Sequence, residues 1–102
     1  MTTGIHPSLA ADMTAGSIMD KMELKERYAY INGMVEGMAY ARFRKDTLAA
    51  GQRTETGSQC IRSWFYAGDG STYDRIETEF RKNAEHMPST IIAVLMKKEC
   101  GE

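Results

Sequence analysis

The chain has 102 residues, of which 42% are hydrophobic and 26% charged, with a formal net charge of −1. That length makes one domain with one core, and a count of only two prolines excludes long proline-rich disordered tracts. Acids and bases are interspersed without the basic stripe that phosphate neutralisation requires, which excludes nucleic acid as the expected partner, and no window approaches the roughly 20 apolar residues of a membrane span.

Residues 1–13 read as a flexible N-terminal arm, because Gly4 and Pro7 break regularity and no periodic pattern develops. One helical domain is expected over residues 14–102. The arm lacks the charged and apolar regions of a signal peptide, yet Ser8, Leu9, Ala10 and Ala11 have the small-residue character of a cleavage site. Two readings stand at this point: a leader upstream of the present start, or a plain small-residue tail.

Thr14 is a good N-cap for a two-turn helix in which Ile18, Met19 and Met22 share a side. A long helix is expected over residues 23–50, with Leu24, Tyr28, Ile31, Met34, Val35, Met38 and Ala41 on one wide arc. Between Tyr28 and Phe43 the strongly polar residues are Asn32, Glu36 and Arg42. A helix that apolar should be covered on most sides, which places it at the centre of the fold. Gly33 and Gly37 lie one turn apart, and each costs about 1 kcal/mol of helix propensity relative to alanine. They are expected to mark the close approach of a second helix. Arg42, Arg44 and Lys45 near the helix end read as partners of the helix dipole.

Gly51 is a plausible C-cap, and residues 52–58 form a polar loop. Ile61, Trp64 and Phe65 follow helical spacing, so a short helix is expected over residues 59–67. After a turn at Gly68, Asp69 and Gly70, the run Ser71, Thr72, Tyr73, Asp74 resembles a capping box with aspartate in the glutamate position. The helix it opens should bury Tyr73, Ile76, Phe80, Ala84 and Met87 on one face. Pro88 suits the first turn of a last helix, with Ile91, Ile92, Leu95 and Met96 as its buried stripe and Gly101 as its end. The fold class is therefore all-α: a single compact domain of about five helices, a long central one wrapped by shorter ones.

The two histidines, His6 and His86, have no metal-ligand companion at helical spacing, and no motif sets Ser63, Ser71 or Cys60 beside a base. No cofactor, metal or catalytic set is expected. Two polar features stand out. Asn32 and Glu36 sit one turn apart on an apolar helix, so Glu36 requires a partner such as an arginine, or else serves as an acid of raised pKa in a cleft. Trp64 and Tyr66 are core residues, or binding hot spots if exposed. The cysteine pair, Cys60 and Cys100, forms one disulfide in an oxidising compartment and stays reduced in a cytosol.

Tyr30-Ile31-x-Gly33-Met34-x-x-Gly37, the mid-chain Cys60-Ile61, and Pro88 before an apolar helix ending at Cys100 together resemble the immunity proteins of type VI secretion amidase effectors and their wider family. The resemblance covers roughly residues 14–100. It implies a small all-α fold, a disulfide from the mid-chain cysteine to the last helix, residence in the periplasm and often a homodimer. The chain departs from that pattern in showing no signal peptide, and the resemblance carries over no toxin-contacting residue. The leading expectation is a non-enzymatic periplasmic protein-binding protein, in its narrower form an immunity-like inhibitor. A cytoplasmic helical interaction module or dimeric regulator is the alternative, and a small hydrolase or ligand-binding protein using Glu36 is the third reading.

Overall fold

The computed structural model describes residues 13–102, and among these there are five helices and no strand. In chain order they are α1 (Ala15–Lys21), α2 (Leu24–Ala50), α3 (Thr56–Phe65), α4 (Ser71–Lys82) and α5 (Pro88–Cys100). The arm expected over residues 1–13 lies outside the described residues except for Met13. That residue is partly buried and packs on the core, so the helical domain reaches it.

Each helix begins and ends for a local reason. Thr14 caps α1, its hydroxyl oxygen accepting from the Ser17 amide at 3.3 Å. α2 ends where Gly51 adopts a left-handed conformation, φ 73°, that a side chain resists. Pro88 opens α5, and Gly101 ends it.

Two expected boundaries shift. α3 starts at Thr56, three residues earlier than the apolar spacing indicates, because Gly57 and Ser58 are buried without adding apolar side chains to the pattern. α4 stops at Lys82, short of the expected Met87. The carbonyls of Ala84 and His86 instead accept from the Gly16 and Ala15 amides, both at 2.9 Å. Those amides are unpartnered first-turn donors of α1, so the turn after α4 satisfies the start of α1. Ala84 and Met87 are accordingly exposed, not part of α4's buried face. The capping box at Ser71 also fails to form. Gly70 is the N-cap at φ 73°, and Asp69 Oδ1 accepts from the Ser71 amide at 2.9 Å.

The core gathers Ile18 from α1, Ile31, Val35 and Ala39 from α2, Ile61 and Phe65 from α3, Ile76 and Phe80 from α4, and the Ile91, Ile92, Leu95, Met96 stripe of α5. Fully burying a side chain of the Ile or Phe class contributes about 1.5–3 kcal/mol. The long helix is central, with α3 folded back along it and side-chain contacts to α4 and α5. Its burial is narrower than the apolar arc suggests. Ile31, Val35 and Ala39, spaced four apart, are its buried residues, while Leu24, Tyr28, Tyr40 and Leu48 are exposed.

The close approach expected at Gly33 and Gly37 is therefore corrected: both are exposed, and a Cβ added at either meets nothing within 4 Å. They lie on the side of α2 opposite Val35, away from every neighbouring helix. The glycines that do admit close packing are Gly16, against the Ala84 backbone, and Gly57, against the Arg42 and Asp46 side chains.

Candidate functional site

The helical hairpin of α2 and α3 brings three of the singled-out residues together. Tyr66, just past the end of α3, donates its hydroxyl proton to Glu36 Oε2 at 2.6 Å and accepts from Asn32 Nδ2 at 3.0 Å. Arg62, one turn earlier, donates from Nε to Glu36 Oε1 at 3.1 Å. Asn32 and Glu36 are one turn apart on α2, as are Arg62 and Tyr66 at the end of the antiparallel α3, so the four side chains interlock. Arg62 has no signal in the apolar pattern. A basic residue placed a helical turn before Tyr66 on a packed helix is the only clue the sequence holds.

The cluster faces solvent, with the Glu36 side chain 38% and the Arg62 side chain 44% exposed. The Tyr66 hydroxyl, first, and Arg62 hold the Glu36 carboxyl below its ordinary range. Glu36 in turn, together with burial, raises the Tyr66 hydroxyl above its own. The carboxylate is thus held ionised and the phenol protonated. An acid of raised pKa at Glu36 is corrected by this geometry, because both neighbours stabilise the charged form.

Along the same face Tyr40, Phe43, Arg53, Glu55, Ser58 and Arg62 line a shallow groove of about 260 Å³. The Arg53 guanidinium lies over the Phe43 ring, 5.1 Å from its centre, and its Nε pairs with Glu55 at 2.8 Å. Tyr40 packs beside Phe43 with ring centres 6.3 Å apart. Two tyrosines, a phenylalanine and two arginines therefore line one continuous surface.

Trp64 is not part of that surface. It is partly buried against the core, and its carbonyl accepts from Thr72 Oγ1 at 2.6 Å. Cys60 and Cys100 are bonded, with Cα atoms 5.9 Å apart, tying α3 to the end of α5. Arg42 serves a helix C-terminus, but that of α5 and not its own. Its Nη1 donates to the Gly101 carbonyl at 3.0 Å, while Nε pairs with Asp46 at 2.8 Å. Beside it Met38, Ile61 and Met96 line a second groove of about 370 Å³, with Lys45 and Lys97 among its other residues. Among the described residues no group of three or more His, Cys, Asp or Glu side chains is arranged to hold a metal ion, and no helix is long and apolar enough to cross a membrane. No family model matches the chain, no curated protein matches it, and no solved structure matches it.

Proposed function

We propose that this chain is a non-enzymatic helical protein of an oxidising compartment such as the periplasm, and that it works by binding another protein through the α2–α3 face. The observation that carries this reading is the Asn32–Glu36–Arg62–Tyr66 cluster. It holds an exposed tyrosine and an exposed arginine in fixed positions beside Tyr40, Phe43 and Arg53. Tyrosine and arginine dominate binding hot spots, and side chains already ordered lose less entropy on association. The Cys60–Cys100 bond supports the compartment, since structural disulfides persist where thiols are not kept reduced. An immunity-like inhibitor is the narrower form of the proposal and rests on the resemblance alone.

A photo-crosslinking residue in place of Phe43, introduced in the native host, is expected to capture one protein. That protein, once purified, should bind the chain at least about tenfold more weakly when Tyr66→Ala or Arg62→Ala is introduced. A partner that binds both variants with unchanged affinity overturns the assignment of this face. Two alkylatable thiols in protein taken from the host overturn the compartment. The immunity form further requires the captured partner to be an amidase whose activity the chain inhibits.

A further inference from the structure

The groove beside Arg42 has a charged end and an apolar end. It lies between α2 and α5, and Ile61 of α3 and Met96 of α5, both almost fully buried, form its bottom. On α2, Met38 comes one turn before Arg42 and two before Lys45, and on α5, Ala93 comes one turn before Lys97. Arg42 and Lys97 both meet the residues that follow α5. Arg42 Nη1 donates to the Gly101 carbonyl at 3.0 Å, and Lys97 Nζ pairs with Glu102 Oε2 at 2.6 Å. Lys97, first, and Lys45 at longer range hold the Glu102 carboxyl below its ordinary range. A carboxylate of this chain thus marks where an anion sits at the charged end. The Glu102 side chain is itself 63% exposed, and it leaves Ala41 and Ala93 exposed and Met38 half-buried along the rest of the groove.

We infer that this groove binds a medium-chain alkyl carboxylate free in solution, its head replacing the Glu102 carboxylate at Lys97 and Lys45 and its tail lying over Ile61 and Met96 toward Met38. The volume of about 370 Å³ is that of a small-ligand site. From Lys45 to Met38 is about 10.5 Å along α2, the span of an octanoate chain. Met38 and Met96 are unbranched thioethers that adjust to such a tail. An alkyl chain suits these walls better than a peptide, whose backbone amides would need partners that apolar side chains do not supply.

Titration of the purified chain with octanoate, followed by amide chemical shifts and by calorimetry, tests this directly. Shifts are expected at Met38, Ile61, Ala93 and Met96, with hexanoate and octan-1-ol each binding at least about fivefold more weakly. Lys45→Gln with Lys97→Gln, both at exposed positions, should keep the helical circular dichroism spectrum and weaken octanoate at least about tenfold. Glu102→Gln frees Lys97 and should tighten octanoate about threefold, whereas Glu99→Gln, the same loss of charge outside the groove, should change it little. No binding of octanoate up to about 10 mM overturns the inference, as does octan-1-ol binding equally well or a Glu102→Gln chain that binds no better than the Glu99→Gln one. Capture by anionic phospholipid vesicles, or by an acidic protein segment, through Lys45 and Lys97 without octanoate binding overturns it too. Arg62, Tyr66 and Phe43 lie outside this groove, so its failure leaves the test of the α2–α3 face standing.

Discussion

At the scale of single residues, the glycines separate into two kinds that composition cannot distinguish. A Cβ at Gly16 would stand 2.8 Å from the Ala84 Cβ and 3.1 Å from its carbonyl oxygen. The backbone there is already held by the Gly16 amide donating to that same carbonyl, so the neighbour cannot yield. Gly16→Ala is therefore expected to destabilise by about 1–3 kcal/mol despite its better helix propensity. Gly33→Ala and Gly37→Ala should each stabilise the monomer by up to about 1 kcal/mol, since nothing opposes the gain. Urea unfolding at a concentration where the chain is monomeric checks both signs, and a stabilising Gly16→Ala contradicts the packing described. Glu36 gives a second test at this scale. Its folded pKa lies below the ordinary 4.5, so its contribution is complete above the unfolded pKa and is lost as pH falls through the folded one. Solvent screening keeps the effect below about 1 kcal/mol. Glu36→Gln should flatten the acid side of the stability profile, and an unchanged acid limb removes the cluster from the account. The sequence makes Glu36's need for a partner legible, because a carboxylate on an apolar helix must be compensated. It does not identify Tyr66 and Arg62 as that partner, since only the return of α3 along α2 sets them there.

Helix elements were readable wherever apolar spacing continued to the end, and unreadable where backbone or small side chains decide. The long helix and α5 follow their spacing almost to the residue. The start of α3 is hidden because Thr56, Gly57 and Ser58 carry no apolar signal, and the end of α4 is hidden because carbonyls serving α1 terminate it. Glu77 is the polar residue of α4 with the largest consequence, and no pattern singles it out. Its carboxylate pairs with Arg27 Nε, both side chains being only 11% exposed, and Arg27 Nη1 also donates to the Met22 carbonyl at 2.9 Å. The bridge fixes the start of α2, and the chain leaving α1, against α4. Tyr73 packs over the start of α2, its ring 5.1 Å from that of Tyr28, and burial, followed by the neighbouring Glu77 carboxylate, pushes its hydroxyl up to about 12. Removing one member of a buried pair strands the other. Arg27→Ala or Glu77→Ala should each cost about 3 kcal/mol, and the double change distinctly less than twice that. A double-mutant cycle by urea unfolding measures the coupling, and strictly additive losses rule out a paired bridge.

At the scale of the whole molecule, α5 is held by two different means along its length. Its middle is held by Ile91, Ile92, Leu95 and Met96, all buried. Its last turn is held by the bond from Cys100 to Cys60 and by Arg42 donating to the carbonyls of Cys100 and Gly101. Closing a loop between residues 40 apart stabilises by up to about 4 kcal/mol in the chain-entropy picture. That gain acts through the unfolded chain, whereas the apolar stripe acts through the folded one. Cys60→Ala with Cys100→Ala is therefore expected to keep the helical circular dichroism spectrum and to raise the urea m-value, because the unfolded chain without the crosslink exposes more surface, while lowering the stability by as much as about 4 kcal/mol. Hydrogen exchange should quicken most in the last turn of α5, at Lys98, Glu99 and Cys100, where the arginine alone remains. Protection near Ile91 and Ile92 should fall only by the global loss. If the whole of α5 exchanges as one unit faster than global unfolding allows, the apolar stripe is not an independent anchor, and the disulfide is what docks the helix.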